Sequence, residues 1–253
     1  MKPGDNIVVW FSTGAASAVA WYHTLLRYGD TCNVVAVWNP VIEEDPDNIR
    51  FGSDVWTWLN RRWNAPCLRW THEDYPNASA VEVWDRRGAM SFPKGAPCTV
   101  HLKKEARQQF ERKYRVDWHV LGFTADEQKR HERFTMTERE NVLPVLIDVG
   151  LTKQECVDFM AGVGIELPRV YSLGYPNANC IGCVKATSPT YWNLVRETFP
   201  DVFQQRAEQS RRLGAKLVRV KNKRIFLDEL DPAAKGRPLK NMHIECGIFC
   251  EES

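Results

Sequence analysis

At 253 residues, with 43% apolar and 11% aromatic content, the chain has enough apolar material for one large α/β domain with an appendage, and disorder and collagen are excluded. Its 34 Lys and Arg stand against 32 Asp and Glu, and a net charge of +2 argues against a binder driven by neutralising many phosphates, although a local basic patch is compatible with it. No apolar run reaches the roughly 18 residues that span a bilayer, and MKPGDNIVVW lacks a cationic segment before a long apolar one, so a soluble, cytoplasmic protein without membrane contact is expected.

Ile7 to Phe11 (IVVWF) is a short continuous apolar run, as in a strand buried on both faces. It leads through STGAAS into a helical pattern over Ala18 to Leu26. Cys32 to Trp38 predicts a second strand, Ile49 to Trp63 a helix, and Pro66 to Trp70 a short third strand. A loop from His72 to Pro97 precedes a charged helix over Val100 to Tyr114. The strand Asp117 to Gly122, a polar loop and the strand Val142 to Ile147 follow, then a helix announced by the capping pattern at Thr152 to Glu155. This alternation predicts an α/β fold with a doubly wound, mainly parallel sheet. From Leu173 the character changes: SLGYPNANCIGC is loop-rich, Ser188 to Phe199 and Asp201 to Leu213 read as helices, and Lys216 to Leu227 as a hairpin. The expected organisation is a nucleotide-binding domain over 1–172 and a smaller helical, cysteine-containing module over 173–253, lying over the sheet's carboxyl edge and covering the active site.

Ser12-Thr13-Gly14-Ala15-Ala16-Ser17 is a loop of small residues between a buried strand and a helix. Such a loop lets backbone amides approach an anion closely, although an ordinary strand-to-helix turn has the same composition. The GxxxxGK[ST] and GxGxxG spacings are both missing. Of eight cysteines, Cys32, Cys67 and Cys156 stand in or beside apolar stretches as small hydrophobes. The other five, in APCT, NCIGC and ECGIFC, have the tight spacing of metal ligands or redox groups in a reducing compartment. Trp10, Trp38, Trp58 and Trp118 lie on apolar faces and read as core. The basic run KLVRVKNKR (Lys216 to Arg224) is a solvated hairpin or a patch for a polynucleotide backbone, and His101, His131 and His243 have no assigned role.

Phe11 to Ser17 resembles the pyrophosphate loop, SGGxDS in its usual form, of the PP-loop superfamily of adenine-nucleotide α-hydrolases. Ser12, Gly14 and Ser17 match, while Thr13 and Ala16 depart. The acid missing at Ala16 weakens the case for magnesium-assisted ATP cleavage. Further segments follow in the order of the phosphoadenosine phosphosulfate (PAPS) reductase family: Asn39 to Asp45 after the second strand, Pro97 to Lys104, and Gly122 to Glu127 with Arg130 and Arg133. The resemblance covers roughly Ile7 to Cys250. It implies that Ser12, Thr13, Gly14, Ala15, Ala16 and Ser17 cradle phosphates, that Asn39, Glu43, Gly122, Asp126 and Arg133 complete an adenine-nucleotide site, and that Lys103 and Arg130 are catalytic.

Cys180-Ile181-Gly182-Cys183 and Cys98 are similar to the cysteines of iron-sulfur sulfonucleotide reductases, which carry two adjacent cysteines where this chain has Pro97-Cys98. A 4Fe-4S cluster on Cys98, Cys180, Cys183 and Cys246 is the implied cofactor, with zinc on the same ligands or free redox-active thiols as alternatives. Glu245-Cys246-Gly247-Ile248 resembles the reductase signature ECGLH, whose cysteine attacks sulfur. Cys246 is therefore nucleophile or ligand, with Cys250 as the second candidate.

The resulting expectation is an ATP-dependent adenylating sulfurtransferase, with magnesium and a nucleic-acid acceptor both compatible with it. Its sulfur donor would be a cysteine desulfurase or a thioredoxin-like protein, and a homodimer is compatible with the sequence. The alternatives are a thiol-dependent sulfonucleotide (APS or PAPS) reductase with Cys246 as nucleophile, and an inactive nucleotide-binding subunit of a modification complex.

Overall fold

The computed structural model describes residues 1–92 and 95–239. In chain order its elements are β1 (Asn6–Phe11), α1 (Ala15–Tyr28), β2 (Asn33–Trp38), α2 (Asp47–Asn60), β3 (Cys67–Arg69), α3 (Ala80–Arg87) and the single turn α4 (Pro97–Thr99). A π-helical segment, Val100–Glu105, precedes α5 (Ala106–Lys113), β4 (Trp118–Val120), a 3-10 turn at Ala125–Glu127, α6 (Gln128–Thr137), β5 (Val142–Leu143), α7 (Val145–Asp148) and α8 (Lys153–Gly162). Then come α9 (Pro189–Thr198), α10 (Pro200–Arg212), β6 (Val218–Val220), β7 (Lys223–Ile225) and a 3-10 turn at Leu227–Glu229. No described helix is long and apolar enough to cross a membrane.

The chain divides into two compact units, each with its own core. One comprises Met1–Pro40, Pro46–Thr71 and Ala106–Arg169; the other comprises Val41–Asp45, His72–Glu105 and the chain from Val170 onward. The later part of the chain is thus joined in its unit by two earlier segments, one of them only five residues long.

The first unit is an α/β layer built on a five-stranded parallel sheet in the order β3-β2-β1-β4-β5. β1 is central, with Ile7 beside Val34 of β2 and Trp118 of β4. Its residues Ile7 to Phe11 are all buried, which is why the strand reads as an unbroken apolar run. Ile7, Val9, Phe11, Trp21, Phe51 and Leu146 share the core of this unit. Trp10 is buried, while Trp38, Trp58 and Trp118 are half-buried. Cys156 lies in the same core, where burial pushes its thiol up to about 12, in keeping with a packing role.

Three expectations are corrected. The strand over Val142 to Ile147 stops at Leu143, because Pro144 has no amide for the ladder, and a helical turn follows. The loop from His72 to Pro97 contains α3, whose Ser79 side chain accepts from the Glu82 amide and whose Gly88 ends the helix at φ 62. The polar loop after Gly122 holds the 3-10 turn and α6. The capping box of α8 forms as read, with Thr152 and Glu155 capping each other.

In the second unit α3, α9, α10 and the β6-β7 hairpin surround a core that includes Trp84, Met90, Val170, Tyr191, Trp192 and Leu227. The hairpin forms within Lys216 to Leu227. Lys221 and Asn222 take φ values of 44 and 66, the two positive angles of a two-residue type I′ turn.

Candidate functional site

The phosphate-loop candidate lies in the first unit. β1 has β2 on one side and β4 on the other, so the chain leaves β1 at the point where the strand order reverses, and open parallel sheets bind ligands at the carboxyl ends beside such a point. There Ser12, Thr13 and Gly14 lead into the 14-residue α1. Gly14 is the N-cap in an extended conformation and offers no side chain to the first-turn amides. The first ladder bond is from the Ala18 amide to the Gly14 carbonyl (3.1 Å), which leaves the Ala15, Ala16 and Ser17 amides ahead of the helical ladder. The first turn carries no acid, so no side chain of that turn offsets the positive end of the helix dipole.

The serines hold the loop's shape. Ser17 Oγ accepts from the Ser12 amide (3.2 Å) and from Ser12 Oγ (3.1 Å), and donates to the Gly14 carbonyl (2.9 Å). Thr13 takes φ 55, a left-handed conformation that costs a side-chain-bearing residue about 1–2 kcal/mol and suits the glycine of SGGxDS. Gly122, just beyond β4, packs against the first turn of α1, where a Cβ would meet the Ser17 nitrogen at 2.9 Å and the Ala16 carbonyl carbon at 3.1 Å. Asn39 follows β2 and is 2% exposed; its Nδ2 donates to the Trp70 carbonyl (2.9 Å), joining the segments just after β2 and β3.

Asp126 accepts from the Lys153 amide at the start of α8 (3.2 Å). Arg130 pairs with Glu127 and lies over the Phe123 ring at 5.1 Å, while Arg133 is exposed on the following turn of α6.

The second unit carries the cysteines. Cys98 is half-buried in α4, and Cys180 and Cys183 are buried. The CxxC is anchored from two sides. Glu44 forms an antiparallel bridge with Cys180, and the Ile181 amide donates to the Glu43 carbonyl (2.9 Å). Across the turn Tyr191 Oη accepts from the Cys183 amide (2.9 Å) and donates to the Cys180 carbonyl (3.4 Å). Gly182 stands at φ 69, a conformation that glycine adopts without strain.

Against Gly182 lies Arg206 of α10, a side chain with no counterpart in the sequence reading. It is 3% exposed, its Nε is 3.5 Å from where a Gly182 Cβ would stand, and that Nε has no hydrogen-bond partner among the described residues. Burial pushes the guanidinium's pKa down, and the acidic side chains Glu43, Cys180, Tyr191 and Cys98 oppose that shift. A signal was present: Val202, Arg206 and Ser210 share one helical face of α10, so Arg206 falls in line with the half-buried Val202 and the buried Ser210.

Two residues expected at the nucleotide or catalytic site belong to this unit. Glu43 accepts from Ser79 Oγ (2.8 Å), the Ala80 amide (2.8 Å) and the Val81 amide (3.1 Å), so its carboxylate caps α3. Lys103, in the π-helical segment, is buried and pairs with Glu44 at 3.3 Å, and burial pushes the Glu44 carboxyl up against the pull of Lys103.

Among the described residues, His72, His101 and Glu105 bring ligand-type atoms mutually within 4.8 Å, and the three cysteines do not form such a group. The Asp74 amide donates to His72 Nδ1 (3.1 Å), which puts the ring proton on Nε2, 3.3 Å from Glu105 Oε2. His101 Nδ1 is 2.6 Å from the same oxygen. The trio is a hydrogen-bonded carboxylate between two imidazoles, and His72 presents a proton where a metal needs a lone pair. Cys246, Cys250 and His243 lie outside the described residues.

No protein-family model matches the chain, and no curated protein matches it. Among solved structures it is similar to a PAPS reductase from Candida auris in a phosphate complex, at 9% identity over 66% of this chain and 78% of that one, with a TM-score of 0.43. It is also similar to the U34-tRNA thiolase NcsA from Methanococcus maripaludis with its 4Fe-4S cluster, at 12% identity over 87% of this chain and 75% of that one, with a TM-score of 0.38.

Proposed function

We propose that the chain is an enzyme of sulfur chemistry that binds an adenine nucleotide at Ser12 to Ser17 and carries a thiolate-ligated iron-sulfur centre at Cys98, Cys180 and Cys183. The observation that carries this reading is the uncapped, acid-free N-terminus of α1 at the switch point of a parallel sheet, on a segment that resembles a pyrophosphate loop. The amides of Ala15, Ala16 and Ser17 meet the phosphates, Ser12 and Ser17 fix the loop, and Gly122 leaves room for its first turn.

The cysteine set fits a thiolate centre. It offers three buried or half-buried sulfurs, a turn relaxed by Gly182, and a buried cation to balance negative charge. Thiolates serve both zinc and iron-sulfur centres, and the resemblance to the iron-sulfur reductases is what favours a cluster here. Such a cluster would supply a site for sulfur or a path for electrons, and Cys246 is the proposed fourth ligand.

In the preferred chemistry the bound ATP adenylates an oxygen of the acceptor, releasing pyrophosphate; the terminal sulfur of a persulfide-bearing donor then displaces AMP, and a second thiol cleaves the resulting acceptor–donor disulfide, leaving the thiolated acceptor and a disulfide on the donor. Nucleic acid is the acceptor class we favour. One observation supports a second reading, reduction of a sulfonucleotide with attack by Cys246: α1 has no acid in its first turn, where Ala16 stands, to help place magnesium.

Incubating the anaerobically purified protein separately with ATP, magnesium, nucleic acid and a persulfide donor, and with APS or PAPS and a dithiol reductant, tests both. Pyrophosphate and AMP from the first supports sulfur transfer, and sulfite from the second supports reduction. Nucleotide binding with neither product makes the chain an inactive binding subunit.

A further inference from the structure

Arg206 is a buried cation that the described residues do not complete. Its guanidinium stacks over the Trp84 ring at 4.5 Å, and its Nη1 donates to Gln209 Oε1 at 2.7 Å. Gln209 is itself held, donating from Nε2 to Asp85 Oδ1 at 3.0 Å, so the guanidinium is fixed in plane and direction. Its Nε is buried with no hydrogen-bond partner among the described residues and lies against Gly182, midway through the CxxC turn. The acid that acts on it most strongly is Glu43, yet both Glu43 oxygens are taken by the start of α3. Cys180 and Cys98 are the cysteines that act on it.

A buried donor left without an acceptor, on a charged group, is costly unless something not made of protein completes it. A cluster on Cys98, Cys180 and Cys183 provides what is missing, since its thiolates and sulfides are anionic acceptors. We propose that Arg206 is the positioning residue of this centre, its Nε–H donating to a cluster or cysteine sulfur and its charge balancing the thiolates. The proposal rests on the iron-sulfur reading of those cysteines.

The two states of the protein should respond oppositely to Arg206→Met, which keeps much of the side-chain length and removes the charge. Without metal, the variant loses an uncompensated buried charge and melts at or above the wild-type temperature. With the cluster, it loses a partner of the sulfurs. After anaerobic reconstitution with ferrous iron and sulfide, it gives up iron to a chelator about tenfold or more readily, and its reduction potential is more negative. Arg206→Lys keeps the charge without Nε and falls between the two.

A metal-free Arg206→Met protein that melts well below wild type would make Arg206 a packing residue through Trp84 and overturn the proposal while leaving the cluster reading intact. The proposal is equally overturned by a variant that holds iron as tightly as wild type at an unchanged potential. Wild-type protein that takes up neither iron nor sulfide overturns the cluster reading itself, and this proposal with it.

Discussion

Gly122 and Ser17 touch so closely that a Cβ on the glycine would lie 2.9 Å from the serine's backbone nitrogen. The neighbouring atoms are backbone, which cannot rotate away, so the end of β4 fixes where α1 begins. Gly122→Ala should push the first turn of α1 out of place. We expect nucleotide affinity to fall about tenfold or more by titration calorimetry, since displaced amides no longer converge on a phosphate, while far-UV circular dichroism stays that of the wild type. Unchanged affinity would show that this contact does not shape the binding loop.

Glu43 is expected to matter for stability through its three bonds to Ser79, Ala80 and Val81. Removing a carboxylate cap leaves helix-terminal amides without an acceptor, so Glu43→Ala should cost about 2 kcal/mol in urea unfolding of the second unit. Glu43→Gln, which keeps an acceptor oxygen, should cost less. A loss of nucleotide affinity with unchanged stability would return Glu43 to a ligand-binding role.

His119 gives a pH dependence of known sign. It is 2% exposed, and burial pushes its imidazole down to about 4, with Glu111 opposing and Arg107 and Arg139 assisting. The Trp10 indole donates to its Nδ1 at 3.0 Å, so the folded ring is neutral with its proton on Nε2. Because the unfolded chain takes up this proton near pH 6.5 and the folded one only near 4, stability is full above that window and falls as pH drops through it. The loss amounts to about 3 kcal/mol for this one group. His119→Asn should flatten the stability profile between those pH values in chemical denaturation, and an equal slope in both proteins would contradict the assignment.

Gly182→Ala places a side chain at φ 69, with its Cβ 3.2 Å from Val202 Cγ1. A cost of about 1–2 kcal/mol is expected from the backbone alone, and the CxxC turn should open. Iron retained after desalting is the readout: the variant should keep less than wild type, and equal retention would mean that the turn tolerates a looser geometry.

The sheet was legible in the sequence because burial on both faces writes a strand as an unbroken apolar run, as Ile7 to Phe11 shows. The loop Ser12 to Ser17 was legible by its small residues, and Thr152 and Glu155 by their spacing. Helix α3 was overlooked although Ser79, Glu82 and Gly88 mark its ends, because its eight residues lie in a stretch dense with prolines and polar side chains. Pro144 should have ended β5, since a proline inside a run argues against a strand. Charge in the sequence does not reveal its partner, so the pairings of Glu43 with Ser79 and of Lys103 with Glu44 come from folding. Helical spacing in α10 marks Arg206 as buried, but its neighbour Gly182, 24 positions away in the chain, is set by folding.

The central claim is a nucleotide-binding enzyme with an iron-sulfur centre, and metal analysis of the anaerobically purified full chain tests it most directly. We predict about four iron and four acid-labile sulfide per chain, the content of one 4Fe-4S cluster, with Cys98→Ser, Cys180→Ser and Cys183→Ser each losing most of it. Stoichiometric zinc without sulfide, or three variants that all retain wild-type iron, would contradict the account.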